Sequence, residues 1–427
     1  MSTDSAQGES AAQAPGAVSR ARPGLKDRAV TTLGLLDRPL TSYYLVLGIT
    51  LLLLALGLVM VLSTSSAYAL VNGLSLYGEF EKQLLGVIVG LPLMWAVSKC
   101  PARFFRALAY PMLVAAVLGL IAVLAIGQTV NGGERWIQVG PLPIEPSELA
   151  KLAFLLWGAD LLARKEKLGQ LTDWRHLLIP LMPGAAILSL LVLAGDDLGT
   201  TFVLLVIFLA LLWVIGTPGS LMLGMLGLIG FVLLILVIVA GYRLRRITAF
   251  FSNPGPNSAL GWQPTEGKYA VGSGGLFGVG MGASRAKWGW VPESTTDFIF
   301  AILGEELGLV GTLCVTLLYG GLAYAGLRIA RRVTDTFVRL AAAAITAWIV
   351  AQAVVNIGSV LGLLPITGVP LPLISAGLSS LLVTMVALGM LLAFARREPG
   401  AAQALAAAGP GVPRRILSWL GLRRRPG

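Results

Sequence analysis

The chain of 427 residues is 56% hydrophobic and only 12% charged, where soluble domains carry about 25% charged residues. Its 32 Lys+Arg against 21 Asp+Glu give a net charge of +11, and the mean hydropathy is +0.81. Water-soluble globular and disordered classes are excluded, and lipid is the solvent that fits.

Residues 1–40 are polar, with Ala, Gly, Ser and scattered Arg, and read as a disordered tail. A spanning helix needs about 20 apolar residues. Ten runs qualify, roughly 44–63, 84–98, 107–126, 147–163, 177–194, 200–215, 221–240, 299–327, 340–362 and 374–394. The predicted fold is therefore all-α, a polytopic membrane domain of about ten transmembrane helices over 41–396. A large extracytoplasmic loop, 241–298, lies between the seventh and eighth spans. A basic tail, 397–427, follows the last. Within it, Ile416, Leu417, Trp419, Leu420 and Leu422 lie between Arg pairs, which suits either a helix on the membrane surface or a solvated tail.

Basic residues mark the cytoplasmic ends of short loops. With both termini cytoplasmic, 23 of the 32 fall inside. The outer exceptions are Lys82, Arg135, Lys151, Arg243, Arg245, Arg246, Lys268, Arg285 and Lys287. This placement argues against nucleic acid as the partner. It suggests an anionic ligand at the outer face, with snorkelling to lipid phosphate as the alternative. One histidine, His176, and two cysteines, Cys100 and Cys314, cannot supply a Ser-His-Asp or Cys-His arrangement or the usual zinc site. The cysteines read as free thiols. Catalysis falls to carboxylates, Lys, Arg, hydroxyls or backbone groups.

The outer segments hold the unusual residues. Asn131-Gly132-Gly133-Glu134-Arg135-Trp136-Ile137 precedes Glu145-Pro146-Ser147-Glu148-Leu149-Ala150-Lys151, where Glu148 and Lys151 can share a helix face. Asp196-Asp197-Leu198-Gly199-Thr200 joins the fifth and sixth spans. In the long loop, Gly272-Ser273-Gly274-Gly275, Gly278, Gly280 and Gly282 suit either an anion-binding backbone nest or a re-entrant loop packed on helix ends. Pro292 and Ser294-Thr295-Thr296 signal a helix start, leaving Asp297 at the mouth of the eighth span. It is either a dipole-satisfying carboxylate or a functional one. Glu305 and Glu306 lie inside that span and are either functional or paired with a buried cation or hydroxyl. Leu364-Pro365-Ile366-Thr367-Gly368 and Leu371-Pro372-Leu373-Ile374-Ser375-Ala376-Gly377 precede the tenth. All fall on one face, which points to one shared site.

Taken together, these blocks resemble the SEDS family (shape, elongation, division and sporulation). The most diagnostic is Pro292-Glu293-Ser294-Thr295-Thr296-Asp297-Phe298-Ile299-Phe300-Ala301 with Glu305-Glu306-Leu307-Gly308. The others stand in the same order, over about 40–395. They look closest to the cell-division branch in its actinobacterial form, with the elongation branch as near neighbour. The chain departs from the usual pattern at Glu145, where Gln is common, at Gly195-Asp196, which replaces Gln-Pro, and at Leu378, where a second Gly is expected.

The resemblance implies a peptidoglycan glycosyltransferase acting on lipid II, a disaccharide-pentapeptide on polyprenyl pyrophosphate. Asp297 matches the family's catalytic aspartate and is expected to be the general base of an inverting displacement. Arg243, Arg246, Lys268, Lys151, Arg135, Glu148 and Ser375 are expected to bind substrate, and Glu293, Glu305 and Glu306 to support the site. No resident metal is expected at a His/Cys site; whether a divalent cation assists stays open. Implied partners are a class B penicillin-binding protein (an FtsI-like transpeptidase) and other divisome membrane proteins, at the plasma membrane and the division septum. A lipid II translocator and a non-catalytic scaffold remain alternatives.

Overall fold

The computed structural model describes residues 40–403, apart from 74, 76, 131–132, 140–141, 240, 253–257, 259–260 and 402. The expected tails therefore lie almost wholly outside the described residues, as does the Arg414–Arg425 segment. The helices run in the order α1 (Thr41–Asn72), α2 (Gly78–Val97), α3 (Ala102–Ile126), α4 (Pro146–Lys167), α5 (Trp174–Leu178), α6 (Leu181–Ala194), α7 (Leu198–Ile215) and α8 (Gly219–Val239). They continue with α9 (Gly241–Ser252), α10 (Trp262–Ser273), α11 (Ile299–Arg332), α12 (Thr336–Val360) and α13 (Leu378–Ala395). A three-stranded antiparallel sheet, β1 (Gln128–Val130), β2 (Gly133–Val139) and β3 (Leu142–Ile144), connects α3 to α4.

Among the described residues, nine helical stretches are long and apolar enough to cross a membrane, α5 and α6 together forming one of them. The remaining expected span, the fourth, is α4, which is too charged to satisfy that measure, yet its 22 residues reach about 33 Å. Its place in the bundle explains the composition. Sixteen of its residues are buried, against α3, α6, α7, α12 and α13. Its charges are paired at both ends. Near its start Lys151 meets Glu148 at 2.8 Å, and further along the fully buried Asp160 meets Arg106 at 2.8 Å and Arg164 at 2.7 Å. The Arg106 guanidinium also lies 5.3 Å over the Phe337 ring, so α12 is tied into the same cluster. Burial of an ion is tolerated only with such partners.

Local chemistry sets the breaks. The last span begins at Leu378, four residues later than expected, because Pro365, Pro370 and Pro372 and the left-handed Leu373 (φ 69°) hold 361–377 out of helix. The long connection is not a loop throughout: α9 and α10 occupy much of it. Residues 274–298, mostly turn, then lead into α11. Both cysteines are free. The ends of α1, α3, α6, α8 and α12, the starts of α2, α4, α7, α11 and α13, the sheet, α9 and α10 all belong to one end of the bundle, called here the loop end.

α11 is broken at Gly308 (φ 67°, ψ −163°). The glycine-rich loop completes the break. Val279 and Gly280 N–H donate to the carbonyls of Glu305 (2.9 Å) and Glu306 (3.1 Å), while Leu309 and Val310 N–H donate to Gly275 (2.9 Å) and Leu276 (3.1 Å). A Cβ on Gly278 would stand 2.1 Å from the Glu306 oxygen, and one on Gly308 would stand 2.3 Å from the Gly278 nitrogen. Backbone must touch backbone here, and only glycine permits it.

Candidate active site

A cavity of about 420 Å³ opens at the loop end. It is lined by Arg135 and Trp136 of β2, Glu145, Glu148 and Lys151 at the start of α4, and Asp197 and Thr200 at the start of α7. Gln263 of α10, the turn residues Glu293, Thr296 and Asp297, Gln352 of α12 and the segments 366–370 and 376–380 complete it.

Asp297 is presented by a tight turn. Glu293 adopts the left-handed region (φ 54°), and its carbonyl accepts from Thr296 N–H (3.1 Å) and Phe298 N–H (3.0 Å). The Thr296 hydroxyl closes the turn on the Glu293 carboxylate at 2.7 Å. Asp297 lies one residue before the cap position of α11, Phe298, so it is not the helix cap. Its carbonyl accepts from the buried Asn356 amide at 2.8 Å, which also donates to the Val369 carbonyl at 2.8 Å. Gln352 does the same to Pro370 at 3.0 Å and is itself held by the Trp348 indole at 2.8 Å. Gly368 (φ 72°) lies directly beside the carboxylate; a Cβ there would stand 3.4 Å from Asp297 Oδ2.

The other charges that line the cavity are pre-arranged. Lys151 is buried, paired with Glu148, and its ammonium lies 5.2 Å over the Trp348 ring. Arg135 donates to the Asp196 carbonyl at 2.7 Å. Asp197 caps α7 by accepting from Thr200 N–H at 2.9 Å. Burial, then the neighbouring Glu148 and Asp197 carboxylates, push the Glu145 carboxyl up to about 8, so its neutral form predominates near pH 7. Among the lining residues, Arg135 Nε, Glu148 Oε2 and Thr367 Oγ1 are buried with no hydrogen-bond partner among the described residues. Buried polar atoms seldom stay unsatisfied, and three around one cavity mark a place for a polar ligand. No group of three or more His, Cys, Asp or Glu that could hold a metal ion is present among the described residues.

The cavity thus brings together Asp297, Arg135, Lys151, Glu148 and Glu293 from the residues expected at the site. It does not bring in Lys268, which is exposed with its stem against Gly362, or Ser375, whose hydroxyl is used internally. That hydroxyl donates to the Thr296 carbonyl (2.7 Å) and accepts from Leu371 N–H (2.8 Å), tying the segment before α13 to the Asp297 turn. The side chains of Arg243 and Arg246 lie outside the described residues. Glu305 and Glu306 do not line the cavity either. Glu305 accepts from Ser284 Oγ (2.5 Å) and from Arg285 and Ala286 N–H (3.1 and 3.2 Å). Glu306 is buried with Lys287 at 3.2 Å and accepts from Ser63 Oγ at 2.6 Å. The amides just after the glycine string therefore bind the chain's own carboxylate, while those of Val279 and Gly280 go to helix carbonyls. Gln263 and Gln352 line the cavity although the sequence did not single them out, and Glu145 and Asp197 lay in segments read as part of the shared site without a role of their own. Glu145 carried one signal, its departure from the usual Gln.

Comparison with known proteins agrees over nearly the whole described chain. Residues 43–399 match the model of the FtsW, RodA and SpoVE family, described as cell cycle protein. The chain is 40% identical over 384 residues to a protein of Mycobacterium tuberculosis named probable peptidoglycan glycosyltransferase FtsW, covering 90% of this chain and 73% of that one. It is 37% identical over 350 residues to stage V sporulation protein E of Bacillus subtilis, covering 82% and 95%. Among solved structures, one described as the structural coordination of polymerization and crosslinking by a peptidoglycan synthase complex aligns with TM-score 0.68 at 28% identity, over 82% of this chain and 96% of that one. The Rod shape determining protein RodA of Thermus thermophilus aligns with TM-score 0.62 at 28% identity, over 83% and 97%. A multi-pass helical membrane protein with these blocks in order belongs to the FtsW/RodA/SpoVE family of cell cycle proteins.

Proposed function

We propose that this chain is a peptidoglycan glycosyltransferase that polymerises lipid II into glycan strands at the septum, with Asp297 as general base. The observation that carries the reading is the cavity itself: Asp297, its backbone pinned, lines the same cavity as Lys151 and Arg135. The relatives' names support the reaction class.

The chemistry suits these groups. The acceptor sugar hydroxyl attacks the anomeric carbon of the donor, and the polyprenyl pyrophosphate leaves from the opposite face. One bond forms as one breaks, so an α-linked donor gives a β-linked product without a nucleophilic side chain. Asp297 accepts the hydroxyl proton, a contribution of about 10²–10⁴-fold. Lys151 and Arg135 hold the charge that grows on the departing diphosphate. A neutral Glu145 lowers the negative charge that the diphosphate meets.

The basic residues support the orientation. Lys99, Arg103, Arg106, Arg164, Lys165, Lys167, Arg328, Arg331, Arg332 and Arg339 are at the end opposite the cavity, which we assign to the cytoplasm. The cavity then faces outward, where glycan strands are assembled. A class B penicillin-binding protein is the proposed partner, in line with the complex that coordinates polymerization and crosslinking. Purified chain in proteoliposomes with lipid II, with and without a cognate transpeptidase, tests the reading. Glycan polymer supports it. Lipid transfer between leaflets without polymer would make the chain a translocator instead.

A further inference from the structure

The glycine-rich loop presents an apolar edge that the site does not use. Residues 269–284 contain no charged side chain. Phe277 is 80% exposed, Leu276 63% and Met281 57%, with Val279 also exposed. The hydrogen bonds across the Gly308 break fix these residues at the depth of 305–310 of α11. That depth is set by the helix. From Leu309 to Arg332 it rises about 35 Å, slightly more than a hydrocarbon core of about 30 Å. The loop therefore meets the bilayer at its edge. Below it, Leu309, Val310, Leu313 and Leu317 continue an exposed apolar face into the span. Above it, the exposed Trp288 and Trp290 are of the type that settles at the headgroup level.

We propose that residues 276–281 form a membrane-dipping lip that enters the headgroup–acyl boundary of the leaflet on the cavity side, its occupant being phospholipid acyl chain. The lip continues into the active-site wall. Trp262 donates to the Trp290 carbonyl at 3.0 Å and stacks on its ring, Gln263 donates to the Pro292 carbonyl at 3.3 Å, and Gln263 and Glu293 line the cavity. The leaflet and the cavity thus share one wall.

The test uses the full chain with Cys100→Ser and Cys314→Ala, reconstituted in phospholipid nanodiscs. Phe277→Cys and Met281→Cys are labelled one at a time with an environment-sensitive fluorophore. Leu317→Cys serves as the deep-lipid reference and Gln170→Cys as the aqueous one. The expected result is blue-shifted emission at both lip positions, shielded from iodide. A spin label near the top of the acyl chain should quench it more strongly than one near the chain end. Should Phe277→Cys fail to fold, Met281→Cys gives the same reading. Iodide quenching equal to the Gln170 reference would overturn the proposal. So would shielding from iodide and from both spin labels, which would mean that protein covers the lip.

Discussion

Asn356 of α12 donates one amide hydrogen to the carbonyl of Asp297 and the other to the carbonyl of Val369. A single buried side chain thus sets the spacing between the turn that bears the proposed base and the segment that faces it. Asp297 itself lines the cavity.

Asn356→Leu should therefore act through position. The two carbonyls lose their donors, and a shift of about 1 Å in the turn costs on the order of 10²-fold in rate. Steady-state polymerisation kinetics should show the loss in kcat with little change in KM. An equal loss in thermal stability and binding, with kcat intact in the folded fraction, would contradict the positioning role.

The Lys151–Glu148 pair should reveal itself in a double-variant comparison. Lys151→Met leaves Glu148 buried without its cation, which costs about 3–5 kcal/mol. Adding Glu148→Gln removes the orphaned charge and should recover much of the unfolding temperature in detergent, but not the activity. Recovery of both would mean that Lys151 does not contact the diphosphate.

Glu145 predicts a pH dependence with a definite sign. Its folded carboxyl titrates near 8, above the ordinary 4.5, so the folded state holds the proton more tightly than the unfolded chain. The group's contribution to stability is full below 4.5 and is lost as pH rises toward 8. Above 8 it adds negative charge beside Glu148 and Asp197, and KM for an anionic pyrophosphate substrate should climb. Glu145→Gln should keep the neutral-pH activity and flatten that alkaline rise. A neutral acid and an amide offer similar hydrogen bonding.

Gly308→Ala should fail outright. The new Cβ meets the Gly278 nitrogen at 2.3 Å, and φ is 67°, so both space and backbone conformation oppose it. Purified yield and unfolding temperature should drop sharply. A variant of native stability would show that the loop does not complete the helix break as described.

The spans were legible because lipid demands long apolar runs, and the place of Asp297 at the mouth of a span because Pro292 and the Ser/Thr cluster announce a helix start; its role came from the family resemblance alone. Glu148 and Lys151 were legible from their spacing on one helix turn. What was not legible depends on distant partners. Asn356 and Gln352 look like stray polar residues on an apolar helix until the chain brings 297 and 370 beside them. Glu305 and Glu306 carried two readings, and only the loop's return to α11 shows their bonding to Ser284, Lys287 and Ser63. The glycine string fitted a phosphate nest or a packed re-entrant loop equally well. The break at Gly308 shows the second, since a broken helix and an anion both need exposed backbone amides.

The central claim is proton transfer to Asp297, and the most direct measurement is the rate of lipid II polymerisation by native and Asp297→Asn protein, reconstituted with the cognate transpeptidase. Equal folding should be verified by thermal unfolding. A fall of at least about 10²-fold, with lipid II binding retained, is the predicted result. An Asp297→Asn protein that folds and elongates glycan at the native rate would contradict the account.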